Sequence, residues 1–186
     1  QYMRFSPSLL NLKYRGTLAK QNVALLRLCF LKGFLSQHHE TVSFVNAEQL
    51  AQRIGLRIEE EKDHHFSDYE NALKCTLSKR GEEFTIGGVV FSGPHPRLTL
   101  INGFVLEMAP TGTILTIKNN DRPGIIGAIG ACLGKHNVNI DQFNLGRDQK
   151  GGEAMALLRV DEDIEENVLG ELENLPNINF VCKIRL

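Results

Sequence analysis

The last third of the chain has the most regular alternation of hydrophobic and polar positions. Residues 113–118 alternate as a strand, and an Asn-Asn-Asp-Arg-Pro-Gly turn follows at residues 119–124. From Ile125 to about His136 the apolar positions recur at helical spacing. Pro123 favours a helix start here, because its φ is already suitable and its missing N–H would have no intrahelical partner. The pattern predicts a strand, a turn and a helix in succession.

Three strands and two helices in all are predicted to follow this first strand. Residues 137–146 and 153–160 alternate as strands, and the turn at residues 148–152 joins them into a hairpin. An acidic helix is predicted over residues 161–174, and a last strand over residues 178–184. The predicted order, β-α-β-β-α-β, is that of the ferredoxin-like split unit.

The first half of the chain has the pattern of a mixed α+β domain. Residues 8–14 alternate as a strand, and Thr17 is the candidate cap of a long helix that reaches about Gln37. Apolar residues occur on nearly every side of this helix, so we expect it to lie in the core between more than one neighbour. Basic residues interrupt it, which leaves no charge-free run of roughly 18 residues for a membrane span.

Shorter elements complete the first domain. In chain order we predict a short strand at residues 42–45, a helix from Ala47 ended by Gly55, a strand at residues 56–61, a hairpin of residues 71–77 and 83–91, and a second hairpin centred on Asn102-Gly103. A Pro-Thr-Gly segment at residues 110–112 marks the domain boundary. The predicted fold class is α+β with two domains, a mixed α+β domain at residues 1–110 and a ferredoxin-like βαββαβ domain at residues 113–186.

The turn at residues 119–124 has the chemistry of an amino-acid site. The first amide N–H groups of the following helix have no intrahelical partners and carry the positive end of the helix dipole, so they suit a carboxylate. Asp121 suits an ammonium group nearby, and a free amino acid carries both charges. The alternative is that Asp121 only caps the helix, which is worth about 1 kcal/mol. The spacing alone leaves both interpretations open.

Gly124, Gly127 and Gly130 recur every three residues at the start of this helix. Each glycine in a helix costs roughly 1 kcal/mol relative to alanine. We therefore expect the helix to approach another backbone closely at these positions. The sheet beneath it and a second subunit are the two candidates for that backbone.

Charge and cysteine content narrow the functional classes. The net charge is -1 and acidic and basic residues balance, which argues against a nucleic-acid partner. The 4 cysteines are widely separated without a C-x-x-C pair, so we expect four reduced core thiols and no zinc or redox centre. No signal peptide is visible, so we expect a cytoplasmic protein whose sequence starts mid-protein. An organellar location would need a targeting peptide upstream.

Two segments superficially suggest a metal or a nucleotide. His64 and His65 stand beside Asp63 and Asp68. Adjacent side chains on an extended segment point in opposite directions, so a solvated loop is favoured over a metal site. Residues 124–130 lack the G-x-G step that lets a pyrophosphate approach. We predict no metal ligands and no nucleotide site.

A double-proline turn carries the remaining candidates for chemistry. Ser92, His95 and Arg97 flank this turn, but no carboxylate stands near in sequence to orient His95. We therefore predict no catalytic residues here. Lys79, Arg80, His95 and Arg97 form a candidate anion site in the first domain. The alternative is that they are ordinary exposed basic turns.

Segments of both domains resemble those of one enzyme family. Residues 120–127, 136–140 and 151–161 resemble an ACT domain, the amino-acid-sensing module of biosynthetic enzymes. More narrowly, they resemble the ACT domain that ends D-3-phosphoglycerate dehydrogenases. Upstream segments also resemble this family. They resemble the intervening, allosteric substrate-binding-type domain of its long-form members, at residues 42–47, 51–56 and 93–103. The two halves in this order cover almost the whole chain.

The resemblance implies a serine site shared between two subunits. In this family serine lies between two ACT domains, held by the strand-to-helix turn of one and by the Asn of the second strand in the other. Position by position, the implied contacts are Asn119, Asp121 and Asn139, with the turn shaped by Pro123, Gly124 and Ile125. The implied partners are L-serine or a similar small amino acid, and further copies of the chain in a homodimer or higher homo-oligomer formed through the ACT domain.

The resemblance also implies a parent activity, the NAD-dependent oxidation of 3-phosphoglycerate in serine synthesis. That activity needs a dinucleotide-binding domain and a catalytic His with a carboxylate partner. We identify no segment of this sequence that corresponds to either. We therefore expect no cofactor in this chain and NAD in the full-length enzyme, with feedback control as the role of this part. The alternatives are the regulatory part of an L-serine dehydratase, a stand-alone amino-acid-binding protein, and an ACT domain that dimerises without a ligand.

Overall fold

The computed structural model describes residues 5–37, 39–65, 69–91 and 93–186. The chain divides between Val90 and Phe91 into two compact units, called here the first and the second unit. This division falls earlier in the chain than the Pro-Thr-Gly segment at residues 110–112, because the hairpin before that segment belongs to the second unit. The domain limits at residues 1–110 and 113–186 stay a prediction.

The first unit is a sheet with two helices. Its elements are β1 (Leu9–Gly16), α1 (Ala24–Leu35), α2 (Ala47–Arg53), β2 (Arg57–Asp63), β3 (Asn71–Lys79) and β4 (Glu82–Phe91). β1 pairs in parallel with β2 and antiparallel with β3, and β3 pairs antiparallel with β4. The parallel pair requires a long crossover, which α1 and α2 provide. The alternation predicted for β1 is confirmed, since Leu10, Leu12 and Tyr14 are fully buried.

A polar network ties the helices of the first unit to its sheet. The buried Tyr14 hydroxyl donates to Glu60 Oε1 at 2.8 Å, and Arg27 Nη1 donates to Glu60 Oε2 at 2.5 Å. Arg27 Nε also donates to Glu48 Oε1 at 2.7 Å. Burial, and then the hydrogen bond to Glu60, raises the pKa of the Tyr14 hydroxyl above its ordinary value. The network thus joins β1, β2, α1 and α2.

The long helix predicted from Thr17 to Gln37 is wrong in its length and in its burial. A 3-10 turn at Thr17–Lys20 comes first, and α1 begins only at Ala24. The Asn22 side-chain oxygen accepts the Ala24 N–H at 3.1 Å, a local bond that competes with a continuous helix. Leu31 and Leu35 are buried, whereas Leu25 is 61% exposed, so α1 packs on one side only.

The strand predicted at residues 42–45 is also wrong. Ser43 N–H donates to Asn46 Oδ1 at 2.7 Å, and Asn46 N–H donates to Ser43 Oγ at 3.4 Å. These reciprocal bonds close a turn directly before α2, much as a capping box does. Val45 is 95% exposed as a result, although its side chain is one that favours strands.

The second unit contains the ferredoxin-like fold that the sequence predicts. Its elements are β5 (His95–Ile101), β6 (Phe104–Met108), β7 (Thr113–Asn120), α3 (Ile125–Lys135), β8 (Ile140–Arg147), β9 (Glu153–Val160), α4 (Glu166–Glu173) and β10 (Ile178–Arg185). From β7 onward the element order is βαββαβ, and the sheet order is β10-β7-β9-β8 with every pair antiparallel. The α+β class and this topology are confirmed.

Both helices of this fold cover one face of its sheet. Alternate positions of β7 and β9 supply Leu115, Ile117 and Leu158, which are fully buried against Ile129 of α3 and Leu172 of α4. Fully burying a side chain of this size stabilises the fold by about 1.5–3 kcal/mol. This core fixes α3 relative to β7, and therefore fixes the turn between them.

The β5–β6 hairpin lies against the edge strand β8 of the same unit. Asn102 and Gly103 have φ values of 47° and 87°, as the predicted Asn-Gly turn requires. A Cβ added to Gly146 of β8 would lie 2.5 Å from the carbonyl oxygen of Val105 in β6. Glycine is therefore needed at position 146 because two backbones meet there.

The prediction of four core thiols is correct for three of them. Cys75, Cys132 and Cys182 are buried, and burial raises the pKa of the Cys75 thiol to about 12. Cys29 is exposed, because it lies on the side of α1 that faces away from the core. No helix in the described part of the chain is long and apolar enough to cross a membrane.

Replacing Gly16 by alanine should destabilise the first unit. Gly16 has a φ of 66°, and a Cβ there would lie 2.0 Å from the Glu70 carbonyl oxygen. Backbone strain and overpacking together should lower the free energy of unfolding by about 2–4 kcal/mol in chemical denaturation. The matched control is Gly33→Ala in α1, where an added Cβ meets nothing within 4 Å. It should stabilise by up to about 1 kcal/mol. Equal stability of the two variants would contradict this assignment.

Candidate functional site

The strand-to-helix turn between β7 and α3 is the centre of the predicted site. Gly124 is the N-cap of α3 with a φ of 93°, a left-handed conformation that glycine adopts without strain. No side chain in the described part of the chain caps this helix end. The first amide N–H groups of α3 thus keep the electropositive character expected for binding an anion.

Asp121 is held by the turn between β8 and β9. Its Oδ2 accepts the Gly151 N–H at 2.9 Å and an Arg147 Nη1–H at 3.3 Å, and its own N–H donates to the Gly152 carbonyl at 2.8 Å. The Gly151 N–H, followed by Arg147, lowers the pKa of the Asp121 carboxyl below its ordinary value. The alternative that Asp121 only caps α3 is therefore wrong.

Asn119 is the buried polar residue of this turn. It is 2% exposed and lies on the same side of β7 as Leu115 and Ile117, where α3 begins. Its Nδ2 donates to the Asn120 carbonyl at 2.9 Å, but its Oδ1 has no hydrogen-bond donor among the described residues. Leaving a buried acceptor unpaired costs about 1–3 kcal/mol. An incoming N–H or O–H donor would remove that cost.

The other turn residues have distinct environments. Pro123 and Gly124 are exposed, whereas Ile125 is 7% exposed and belongs to the core of the second unit. Ile125 therefore anchors the start of α3, while Pro123 and Gly124 form its surface. Their contact with a ligand stays a prediction.

Asn139 lies at the opposite end of the sheet from Asp121. It directly precedes β8, and the pairing of Val160 with both Thr113 and Ile140 places it beside the start of β7. Asp121 follows the far end of β7, so eight strand residues separate the two by about 26 Å. Within one chain the structure does not bring the two predicted contacts together.

Asn139 itself is exposed and bonded to neighbouring carboxylates. Its Nδ2 donates to Asp161 Oδ2 at 2.6 Å, and its backbone N–H donates to Glu162 Oε2 at 2.7 Å. An open cleft of about 400 Å³ lies at this end of the sheet, lined in part by Asp141, Arg159 and Asp161. Asp141 and Arg159 form an ion pair in its wall. These contacts keep the Asn139 amide in a fixed position at the surface.

Apolar side chains of α3 and β8 are exposed among the described residues, although the β5–β6 hairpin contacts β8 at Gly146. A Cβ added to Gly127 or Gly130 would meet nothing within 4 Å, so the sheet beneath is ruled out as the backbone that approaches these glycines, and the other candidate, a second subunit, stays a prediction. Ile126 of α3 is 54% exposed and Leu145 of β8 is 38% exposed. β8 pairs only with β9 among the described strands, which leaves it as an edge.

The four residues of the candidate anion site fall in two different units. Lys79 and Arg80 lie at the β3–β4 turn, and His95 and Arg97 lie on β5. Arg97 Nη1 donates to the Pro96 carbonyl at 3.0 Å, and its Nε lies 3.8 Å from Glu107 Oε1. This carboxylate competes with an external anion for Arg97. The anion site stays a prediction.

The segment of His64 and His65 has the structure of an exposed loop. His65 Nδ1 lies 3.0 Å from Asp63 Oδ1, and the His65 side chain is 97% exposed, as in a solvated loop. Asp68 and Ser92, which entered the sequence predictions, lie outside the described residues.

Sequence reasoning missed three residues that contact Asp121, namely Arg147, Gly151 and Gly152. Arg147 ends β8, and Gly151 belongs to the turn after it with a φ of 76°. The Gly151-Gly152 pair was the only sequence feature that pointed to this region. It predicted a turn but not the contact of that turn with Asp121. The contact is long-range, so local spacing does not reveal it.

Comparison with known proteins gives matches over both units. Residues 1–102 match the family described as D-3-phosphoglycerate dehydrogenase intervening domain, and residues 113–177 match the ACT domain. A D-3-phosphoglycerate dehydrogenase of Bacillus subtilis is 33% identical over 176 residues, 94% of this chain and 34% of that protein.

Two further relatives have the same name. The protein of Methanocaldococcus jannaschii is 32% identical over 187 residues, which covers 100% of this chain and 35% of that protein. The protein of Mycobacterium tuberculosis is 34% identical over 166 residues, 87% of this chain and 31% of that protein. The chain thus spans about a third of the length of these relatives.

Asp121→Asn should lower stability at neutral pH and have little effect in acid. The folded-state pKa of Asp121 lies below its ordinary value of 3.8. A depressed pKa contributes stability that is fully present above the unfolded-state pKa and is lost as pH falls through the folded-state pKa. The difference in Tm between wild type and variant should therefore shrink as pH falls from 7 through 4 toward 3. The control is Glu173→Gln on the exposed side of α4. A Tm difference that stays constant over this range would contradict the proposed contacts.

Proposed function

Because this chain belongs to the D-3-phosphoglycerate dehydrogenase intervening-domain family, we propose that it is the regulatory portion of an NAD-dependent enzyme that oxidises 3-phosphoglycerate in serine biosynthesis. The ACT domain that follows the intervening domain supports a regulatory role. The relatives are about three times as long as the chain, so hydride transfer and NAD binding are assigned to the rest of the longer protein.

The second unit is proposed to bind L-serine or another small amino acid at the β7–α3 turn. The observation that carries this proposal is the unpaired Asn119 Oδ1, which is buried at the start of α3 and close in sequence to the ionised Asp121. Asn119 and Asp121 would receive the ligand's ammonium and hydroxyl donors. The uncapped amides of α3 would hold its carboxylate.

A second copy of the chain would complete the site. Arg147 at the end of β8 contacts Asp121, whereas Asn139 stands directly before the start of β8. If two β8 edges pair antiparallel about a two-fold axis, the start of each strand lies beside the end of the other. Asn139 of the partner subunit then reaches the Asp121 turn, and the 26 Å separation within one chain, about eight strand rises, is no obstacle.

Feedback would operate through the arrangement of the two subunits. Serine can shift this arrangement only if it binds one arrangement more tightly than the other. Moving the balance from 1:99 to 99:1 requires a difference of about 5.5 kcal/mol, which two symmetric sites would share. A hydrogen bond to a charged group contributes about 1.5–3 kcal/mol, so roughly two to four such contacts at the two sites are enough.

Isothermal titration of the chain with L-serine tests the ligand proposal. L-serine should bind, and Asp121→Ala should weaken binding at least about tenfold, because loss of a charge-assisted hydrogen bond exceeds ~1.4 kcal/mol. Glycine and other amino acids serve as comparison ligands, and Glu173→Gln is the control variant. No heat with any amino acid would contradict the sensor proposal. Unchanged affinity in a folded Asp121→Ala variant would contradict only the site.

The full coding sequence tests the parent enzyme. A Gly-rich dinucleotide fingerprint and a catalytic His upstream would support the dehydrogenase. An iron–sulfur cysteine cluster in the same polypeptide would instead support the regulatory part of an L-serine dehydratase.

Ile126→Glu should disrupt association of the chain. Ile126 is 54% exposed on α3, next to glycines whose added Cβ atoms would meet nothing. A buried unpaired charge at an interface is strongly unfavourable, so sedimentation velocity should show a shift from dimer to monomer. The control is Leu25→Glu on α1 of the first unit, which is 61% exposed and should leave the sedimentation coefficient unchanged. A dimer that survives Ile126→Glu would place the interface elsewhere.

A further inference from the structure

Arg147 is the side chain of the Asp121 cluster with unused binding capacity. It ends β8, and its side chain is 57% exposed. Among the described residues its hydrogen-bond partner is Asp121, whose Oδ2 accepts from Arg147 Nη1 at 3.3 Å. A guanidinium carries five N–H donors in a rigid fork that matches a carboxylate. The rest of that fork has no acceptor among the described residues.

Asp121, by contrast, is shared between several donors. Its Oδ2 also accepts the Gly151 N–H at 2.9 Å, which holds the carboxylate at the β8–β9 turn whether or not Arg147 stays in contact. Arg147 can therefore move to another acceptor without releasing Asp121 from the turn. The ion pair of Arg147 and Asp121 is the part of this cluster that a ligand can exchange.

We propose that Arg147 binds the α-carboxylate of the effector together with the uncapped amides of α3, and that its ion pair with Asp121 makes the site selective for zwitterions over simple amines. This inference rests on the proposed function of the second unit as an amino-acid sensor. An amino acid replaces the Arg147–Asp121 pair by two pairs, ammonium with Asp121 and carboxylate with Arg147. An amine that lacks the carboxylate must break the Arg147–Asp121 pair to reach Asp121 and offers Arg147 no carboxylate in return, so it gains one ion pair at the expense of another.

The geometry also defines a structural alternative for Arg147. Asn139 lies beside Asp161 and Glu162, so an antiparallel pair of β8 strands would bring these carboxylates toward Arg147 of the partner subunit. In that case Arg147 would stabilise the dimer and would not bind the carboxylate of the ligand. The two roles predict different results, because a dimer contact affects all ligands equally.

The experiment compares two ligands and three variants. Isothermal titration measures the binding of L-serine and of serinol, in which a hydroxymethyl group replaces the carboxylate and the ammonium group remains. The variants are Arg147→Gln, Arg147→Lys, and Arg57→Gln as the control. Arg57 is an exposed arginine on β2 of the first unit, where its Nε lies 3.3 Å from Glu59 Oε1. Sedimentation velocity on each variant reports its oligomeric state.

Wild type should prefer L-serine to serinol, and Arg147→Gln should reduce this preference about tenfold, which corresponds to ~1.4 kcal/mol. Arg147→Lys should restore part of it, because a lysine keeps the charge but loses the planar fork. Arg57→Gln should leave the preference unchanged, and all variants should keep the wild-type oligomeric state.

Three results would overturn the inference. An unchanged serine-to-serinol ratio in Arg147→Gln would show that Arg147 does not read the carboxylate. Equal weakening of both ligands, together with loss of the dimer, would assign Arg147 to the interface and leave the sensor proposal intact. Failure of the wild-type chain to bind L-serine or any other amino acid would overturn both this inference and the proposed function.

Discussion

The order and direction of the strands in the βαββαβ unit set the geometry of the proposed amino-acid site. β7 and β8 both pair antiparallel with β9, so they run in the same direction and α3 must cross back between them. The turn that starts α3 therefore lies at one end of the sheet, and the residue that starts β8 lies at the other. The crossover connection through α3 therefore separates Asp121 from Asn139, whatever conformations their side chains adopt. Two-fold pairing of an edge strand is the simplest operation that brings such opposite ends together.

The contacts of Asp121 add a second constraint at the Asp121 end. Its carboxylate and its backbone N–H both bond to the β8–β9 turn, so the start of α3 is tied to the end of the proposed interface strand. Asn119 lies beside this tie with an unpaired acceptor in a protein interior, where such groups are rare. A ligand that pairs with both residues would act on the helix and on the edge strand at once. The same tie would let the proposed exchange at the Arg147–Asp121 ion pair act on α3 as well.

The sequence was sufficient for elements in which pattern and packing agree. β9 spans Glu153–Val160 as predicted, and the Asn102-Gly103 turn forms because its residues suit the backbone it needs. It was insufficient where short side chains bond locally, as Asn22 does before α1 and Ser43 and Asn46 do before α2. At the site, sequence resemblance indicated Asn119, Asp121 and Asn139 as contacts. It did not reveal Arg147, the Gly151 amide or the orphaned Asn119 oxygen, because these depend on long-range pairing of β7, β8 and β9.

The opposite-end placement of Asp121 and Asn139 has a consequence for regulation in the cell. A binding site assembled from two chains has an apparent affinity that depends on how much of the protein is associated. Effector and protomer abundance would then be linked by mass action, so that a cell making little of the protein would respond weakly to the same serine level. The response of a site divided between two chains would therefore depend on the concentration of the protein as well as on the concentration of its ligand.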